Sequence, residues 1–320
     1  MSSFKFGYKG ENMNFQQLRY AVEIEKTNSI TAAAKNLYMG QPNLSKSIKE
    51  LENELGTVLF HRTAKGMEPT SSGLQFLRYA KDILRQVDEL QALYQPGQDD
   101  CVRFSISVPR ATYIADAFAH FLSMYKDVTS LDVQYRETNS SEALSDAAVG
   151  DSQLSILRYQ KIYESHFSGL IAQNRLVSEV IVEYPMVLLM SKKHPLASQG
   201  DVPYHALENY TQIVHGDIQI PKLPLSQLNK GAGRGGTRRI YVYDRGSLFE
   251  LLRKVEGSYM WVSPFPQAEL DRHDLTQKTC KDAGINQDVA VWRASTGLSQ
   301  PAKQFLEQLK QSLKNGFEVE

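Results

Sequence analysis

Apolar residues recur at helical spacing through the first hundred positions. Phe15, Leu18, Ala21 and Val22 predict a helix ending near Thr27 and Asn28. Asn28 or Ser29 can cap the next helix, whose Ala32, Ala33, Ala34 and Leu37 are small or apolar and allow close approach of a neighbour. Gly40 permits a tight turn, and Pro42 suits the first turn of a third helix, where its missing N–H costs little. In that helix Leu44, Ile48, Leu51 and Leu55 form one stripe. "LFHRTAKGMEPTSSG" (Leu59–Gly73) then reads as a short strand, a turn and a returning strand. Beyond it, Phe76, Ala80, Ile83, Val87, Leu90 and Tyr94 alternate steps of four and three, the spacing of a coiled-coil seam, which Leu77 and Leu84 widen. "QPGQDD" (Gln95–Asp100) ends this helix like a linker.

From Cys101 the pattern shifts to short strands alternating with helices. "VRFSISV", "LDVQYRE" and "LSIL" read as strands, with "TYIADAFAHFLSMY" and "SSEALSDAAVG" as helices between them. This order predicts a mainly parallel sheet with helices on both faces. A second set contains "RLVSEVIVEYPMVLLMS", "YTQIVH", "RRIYVYD", "YMWVS" and "DVAVWR", and the last helix is "QPAKQFLEQLKQSL". The expected division is one subdomain at 101–161 plus 295–320 and a second at 162–294, with a cleft between them.

Charge sharpens the reading of the N-terminal part. The 320 residues carry 36 Lys+Arg and 36 Asp+Glu, a net charge of zero, so any basic surface has to be local. One such surface is visible: no acidic residue occurs from Thr31 to Lys49. Off the buried stripe of the third helix lie Gln41, Pro42, Asn43, Ser45, Lys46 and Lys49. Amides read base edges, while hydroxyls and lysines bind phosphate. An acid there would be repelled by phosphate, and Glu50, Glu52 and Glu54 come only afterwards. Thr31 at the start of the second helix joins this set, and Arg62 and Lys65, with His61, are placed to flank it from the strand-turn-strand segment. Double-stranded DNA is the partner this chemistry fits.

At these residues the chain resembles the LysR-type transcriptional regulators. The match runs through "AAAKNLYMGQPNLSKSIKELENELGTVLFHRT", then Thr70 and Gly73, and begins at Met13. Pro69 stands where the family usually has leucine, a departure at the wing's edge. The resemblance implies an N-terminal extension at 1–12 without assigned role, an all-α winged helix-turn-helix at 13–71, a linker helix at 72–95 and a hinge at 96–100. An α/β effector domain of two subdomains, similar to periplasmic binding proteins, is implied at 101–320. It also implies pairing through the linker helix into a homodimer or homotetramer. Weaker landmarks are "KKHPLA" (Lys192–Ala197) and "LSQPAKQFL" (Leu298–Leu306).

Open α/β sheets bind ligands beyond the carboxyl ends of their strands. This points to Pro109, Arg110, Ala111, Thr112 and Tyr113, where a strand hands over to a helix whose free N–H groups favour an anion. The resemblance puts effector contacts in the same turn and near Thr138, Asn139 and Ser140. His215, Asp244, Arg245 and Ser263 are the facing candidates from the second subdomain. A small carboxylate is the expected effector.

Other chemistries are not supported by the sequence. Cys101 and Cys280 are far apart and form no disulfide framework or zinc spacing, and the histidines show no HxH or HExxH, so no metal or cofactor is expected. "GAGRGG" (Gly231–Gly236) matches G-x-G-x-x-G but is followed by a strand-like segment rather than a helix, and is read as a basic loop. "GDS" (Gly150–Ser152) is not a hydrolase elbow. The first residues lack an apolar signal core and no apolar run approaches bilayer length, so the expected location is cytoplasmic, without membrane contact. The alternative reading is a cytoplasmic small-molecule-binding protein or an enzyme using the two-subdomain cleft. The missing catalytic constellation speaks against the enzyme, and the missing signal core against an exported solute-binding protein.

Overall fold

A computed structural model describes residues 13–64, 66–94, 101–217 and 238–316. The chain divides into two compact units, Met1–Asp99 and Asp100–Glu320. Lys65, residues 1–12, the expected hinge 96–100 and the "GAGRGG" segment lie outside the described residues.

The first unit contains α1 (Phe15–Thr27), α2 (Ile30–Asn36), α3 (Gln41–Leu55), β1 (Phe60–Thr63), β2 (Gly66–Pro69) and α4 (Ser71–Tyr94). Local chemistry sets its boundaries. Asn14 and Gln17 form a reciprocal capping box at the start of α1, with bonds of 3.0 and 3.1 Å. Asn28 ends α1 with φ 49°, and Ser29 caps α2, so the two candidate caps divide the work. Leu18, Ala21, Ile24, Ala33, Leu44, Ile48, Leu51, Leu59 and Leu77 form the core. The stripe of α3 stops at Leu51, because Leu55 is exposed in the last turn before Gly56. β1 and β2 pair antiparallel from Phe60↔Pro69 to Thr63↔Gly66, as expected of a wing. Gly73 is required where α4 meets β1: a Cβ there would lie 2.0 Å from the Leu59 carbonyl oxygen.

The expected seam of α4 serves two surfaces. Ala80 is buried and Phe76 packs on the unit's own core beside Leu77, while Lys81 pairs with Glu25 at 2.9 Å and Arg19 with Asp88 at 3.4 Å. Heptad spacing alone did not separate these contacts, because a helix packed on its own unit also buries an apolar stripe. Ile83 and Val87 are half-buried, and Leu90 is 56% exposed on the neighbouring face. The Tyr94 side chain is not among those described.

In the second unit the chain runs through β3 (Cys101–Val108), α5 (Thr112–Ser123), β4 (Ser130–Glu137), α6 (Ser140–Val149), β5 (Leu154–Gln160), α7 (Glu164–Gln173) and β6 (Leu176–Pro185). It continues through β7 (Val187–Ser191), β8 (Thr211–His215), β9 (Arg239–Val242), α8 (Leu248–Lys254), β10 (Ser258–Val262), α9 (Gln267–Arg272) and β11 (Leu275–Lys278). β12 (Ile285–Arg293) and α10 (Gln300–Gly316) complete it. Two five-stranded sheets result, ordered β4-β3-β5-β12-β6 and β11-β7-β10-β8-β9.

This topology corrects the expected subdomain boundary. β6 and β12 belong to the first sheet, so the chain crosses to the second sheet after Pro185 and returns before Ile285, rather than at 162 and 294. Strand-like sequence does not name its partner, and the β12–β6 pairing is long-range. The sheets are also mixed rather than mainly parallel: β3 runs parallel to β4 and β5, but β12 is antiparallel to both β5 and β6. Phe104, Phe118, Phe121 and Phe305 fill the first core, where α10 packs beside α5; Leu189, Ile213, Leu252 and Met260 fill the second.

Leu77→Ala is expected to destabilise the first unit by about 2–5 kcal/mol, through lost burial and the cavity left behind. Leu90→Ala is expected to change its stability by no more than about 0.5 kcal/mol. Hydrogen-exchange protection across α1 to α3 in the full chain measures both. Equal protection in the two variants would contradict the two-surface description of α4.

Candidate functional site

Two clusters of chemistry-bearing residues stand out, one in each unit. In the first unit, burial of Leu44, Ile48 and Leu51 turns the opposite side of α3 outward. Thr31, Gln41, Pro42, Asn43, Lys46 and Lys49 are exposed and Ser45 is half-buried. Gly40 precedes the helix without a side-chain cap, and the first turn carries no acid. Backbone N–H groups, amides and lysines therefore share one helix end, a combination suited to phosphates and base edges.

The acids that follow are disposed of differently. Glu52 turns inward and accepts the N–H groups of Leu59 and Phe60 at 2.7 and 3.1 Å, fixing the start of the wing. Glu54 accepts from the Met13 N–H at 3.0 Å. Glu50 lies 3.8 Å from Lys46 with both side chains well exposed, an ion pair that hardly ties up the lysine. Arg62 is exposed on the wing, and His61 sits 3.8 Å from Glu68. Sequence reading passed over Tyr38, which is 98% exposed with φ 53° in the turn before α3. The turn itself was legible from Gly40, but the protrusion of its tyrosine depends on the left-handed backbone.

In the second unit the cleft lies at the carboxyl ends of β3 and β4. Ala111 enters α5 in extended conformation with no side-chain cap bond, and Asn139 caps α6 by accepting from the Glu142 N–H at 3.0 Å. Arg110 donates to both carboxylate oxygens of Asp217, at 3.1 and 2.8 Å. Asn139 donates to the Asp217 carbonyl oxygen at 3.0 Å. Arg245 donates to Glu137 at 2.6 Å and to the Thr112 hydroxyl at 2.7 Å. Both sheets thus contribute, as expected for a cleft between subdomains.

Beneath these groups lies a buried network. Arg158 of β5 donates to both oxygens of Asp288 in β12, at 2.8 and 2.7 Å. Tyr113 and Tyr184 also donate to Asp288. Arg158 further reaches the Arg110 carbonyl at 3.3 Å and the Ser263 hydroxyl at 3.4 Å. Burial works against the Arg158 charge, but Asp288 outweighs it and holds the guanidinium's proton more firmly than usual. Burial and the Asp288 charge push the Tyr113 hydroxyl far above its ordinary range, so it stays a donor.

Most of the expected cleft residues are brought together. Arg110, Tyr113, Asn139 and Ser263 are linked by these bonds and Thr112 is joined to Arg245, with buried Pro109 and Ala111 shaping the turn. His215 stands beside Arg110 and Asp217; burial and then the Arg110 charge lower its imidazole to about 4. Asp244 lies at the edge of this group: it is exposed and accepts from Ser247 at 3.0 Å in the turn before α8, and those bonds, with His215 adding less, hold its carboxyl below the usual range. Aspartate before a turn commonly closes on its own backbone, which its sequence position did not reveal. Arg158, Asp288, Tyr184, Glu137 and Asp217 were missed. For Arg158 and Asp288 the available signal was a charge set against an apolar run, in "LSILRYQ" and "DVAVWR". Among the described residues no group of three His, Cys, Asp or Glu side chains is arranged to hold a metal, and no helix is long and apolar enough to cross a membrane.

Comparison with known proteins adds to this geometry. Residues 15–74 match the model for the bacterial regulatory helix-turn-helix protein, lysR family, and residues 100–314 match that for the LysR substrate binding domain. The chain is similar to the HTH-type transcriptional regulator BsdA of Bacillus subtilis, 25% identical over 311 residues, covering 92% of this chain and 99% of BsdA. It is also similar to the HTH-type transcriptional regulator BudR of Raoultella terrigena, 24% identical over 300 residues, with 92% and 99% covered. Among solved structures, a full-length OxyR variant from Pseudomonas aeruginosa superposes with a TM-score of 0.62 at 15% identity, covering 93% of this chain and 98% of that one. Full-length LysG from Corynebacterium glutamicum, with bound effector arginine, gives 0.59 at 16% identity, covering 96% and 100%. Identities this low speak to the fold.

The lowered His215 value has a consequence for stability. Its ordinary unfolded value is about 6.5, so on acidification the unfolded chain takes the proton first. The contribution of neutral His215 is whole above about pH 6.5 and is lost as pH falls towards about 4. His215→Gln should lose less stability across that window than the wild type does, measured by denaturant titration at several pH values. Parallel losses in both proteins would remove His215 as the source.

Proposed function

Because the chain belongs to the LysR family of bacterial transcriptional regulators, we propose that a small carboxylate-bearing effector enters its cleft and controls its action on DNA. The protein is a DNA-binding regulator rather than an enzyme, with a helix-turn-helix domain and an effector-binding domain. The observation that carries the carboxylate reading is the bond from Arg245 to the Thr112 hydroxyl at the uncapped start of α5, with a second guanidinium, Arg110, in the turn just before it. Guanidinium groups match carboxylates bidentately, and a helix N-terminus adds N–H donors and a favourable dipole.

On DNA, the reading assigns Gln41, Asn43 and Lys46 to the major groove. Thr31, Pro42, Ser45, Lys49, Arg62 and Lys65 are assigned to its walls and flanking phosphates. Exposed Leu90 with half-buried Ile83 and Val87 on α4 supports pairing of two copies, which would present two recognition helices to two half-sites. Assembly into a homodimer or homotetramer and a place in the cytoplasm follow from the same reading.

Two variants test the two halves separately. Lys46→Glu should abolish specific DNA binding while leaving thermal unfolding unchanged; wild-type binding to fragments selected from genomic DNA would put the recognition face elsewhere. Thr112→Val should weaken the best ligand from a panel of small carboxylates by about 1.5–3 kcal/mol, the value of a hydrogen bond to a charged group. Calorimetric titration reads this, and DNA binding without ligand should persist. A panel in which only uncharged molecules bind would overturn the carboxylate reading.

A further inference from the structure

The cleft is electrically complete without any ligand. Arg110, Arg158 and Arg245 are each matched by an acid: Asp217, Asp288 and Glu137. A ligand carboxylate added to this set would leave one negative charge uncompensated in a largely desolvated space, which is costly. The proposed effector, whose carboxylate reading this inference rests on, can therefore bind well only by taking the place of an acid already present.

The three pairs are not equally exchangeable. Asp288 is fully buried and held by Arg158, Tyr113 and Tyr184 together, so it is part of the framework. Glu137 lies in a strand, with its partner Arg245 also bonded to Thr112. Asp217 is different. It follows β8 in a turn, and Arg110 holds it through the two-pronged geometry a ligand carboxylate would use. Beside this pair, the buried Nδ1 of His215 has no hydrogen-bond partner among the described residues, which leaves a ligand a place to bond once the acid has left.

We propose that Asp217 is a built-in stand-in for the effector's carboxylate, and that the effector binds by displacing it from Arg110. Asp217 then sets specificity: a ligand must offer a carboxylate with both oxygens free to outcompete it, and single-oxygen anions and neutral analogues are rejected. It also sets the affinity threshold. A site whose binding-competent form is present for only a fraction of the time loses affinity by that fraction. Because Asp217 comes from the second subdomain, with its carbonyl on Asn139 of the first, exchange replaces a link made by the protein with one made through the ligand.

The test uses the full chain and three probes: acetate, succinate and benzoate. Each is titrated calorimetrically into wild type, Asp217→Asn, Asp217→Ser and the double variant Asp217→Asn with Arg110→Gln. Asparagine keeps the shape and an accepting oxygen but removes the charge; serine serves as the second variant should the first not fold. If Asp217 holds Arg110 nine-tenths of the time or more, its removal should tighten binding of the probe the wild type takes by about tenfold or more. The added Arg110→Gln should cancel that gain. Affinities within about twofold of wild type, or weaker ones, would overturn the stand-in role while leaving the carboxylate reading intact. A gain that survives loss of Arg110 would place the competition elsewhere and overturn it too. If no probe binds any of the proteins, the stand-in role and the carboxylate reading fail together.

Discussion

Asp288 is a fully buried carboxylate in the middle of a sheet, and the arrangement of the effector unit depends on its being satisfied. Arg158 lies directly across the β5–β12 ladder from it, in register, and supplies two charge-assisted bonds. Tyr113 and Tyr184 supply donors from α5 and β6. A buried ion pair of this kind contributes little net stability compared with apolar packing, but removing one partner costs about 3–5 kcal/mol. Its effect here is positional. With Asp288 occupying one side of the guanidinium, the other side reaches the Arg110 carbonyl and Ser263, so the cleft floor is tied to both subdomains. The β12–β6 ladder shifts register between Asp288 and Val289, an irregularity of the kind that re-aims side chains.

The two units handle the same residue types in opposite ways. On α3 the lysines face outward, while nearby Glu52 and Glu54 are absorbed by backbone N–H groups, leaving a surface with cations to spare. In the cleft each arginine is matched by an acid. The difference follows from the partner. A polyanion such as DNA supplies the compensating charge from outside, whereas arginines half-buried between two sheets are compensated from within the protein. A net charge of zero over the whole chain conceals both situations.

Helix α4 also has two unlike sides. Leu77 and Ala80 complete the core against α1, and the face carrying Leu90 stays open. Folding of the DNA-binding unit therefore draws on one side of the helix and does not use Leu90.

The N-terminal unit was legible in the sequence because its signals are local. Helical spacing placed Leu44, Ile48 and Leu51 inside and so turned Gln41, Asn43 and Lys46 outward; caps and turns at Ser29 and Gly40 lie within a few residues of what they control. The turn at Arg110 and Thr112 was legible for the same reason, as a strand handing over to a helix. Other features required the tertiary structure. Arg158 and Asp288 are 130 positions apart and meet only through strand register. β6 and β12 look like any strands until their pairing assigns them to the first sheet. Asp217 reads as an ordinary turn acid until Arg110 is brought to it across the cleft. Periodicity in a chain records which side of an element is buried. It does not record which distant element buries it, because burial free energy is non-directional, and only hydrogen-bond register and charge pairing distinguish one apolar partner from another.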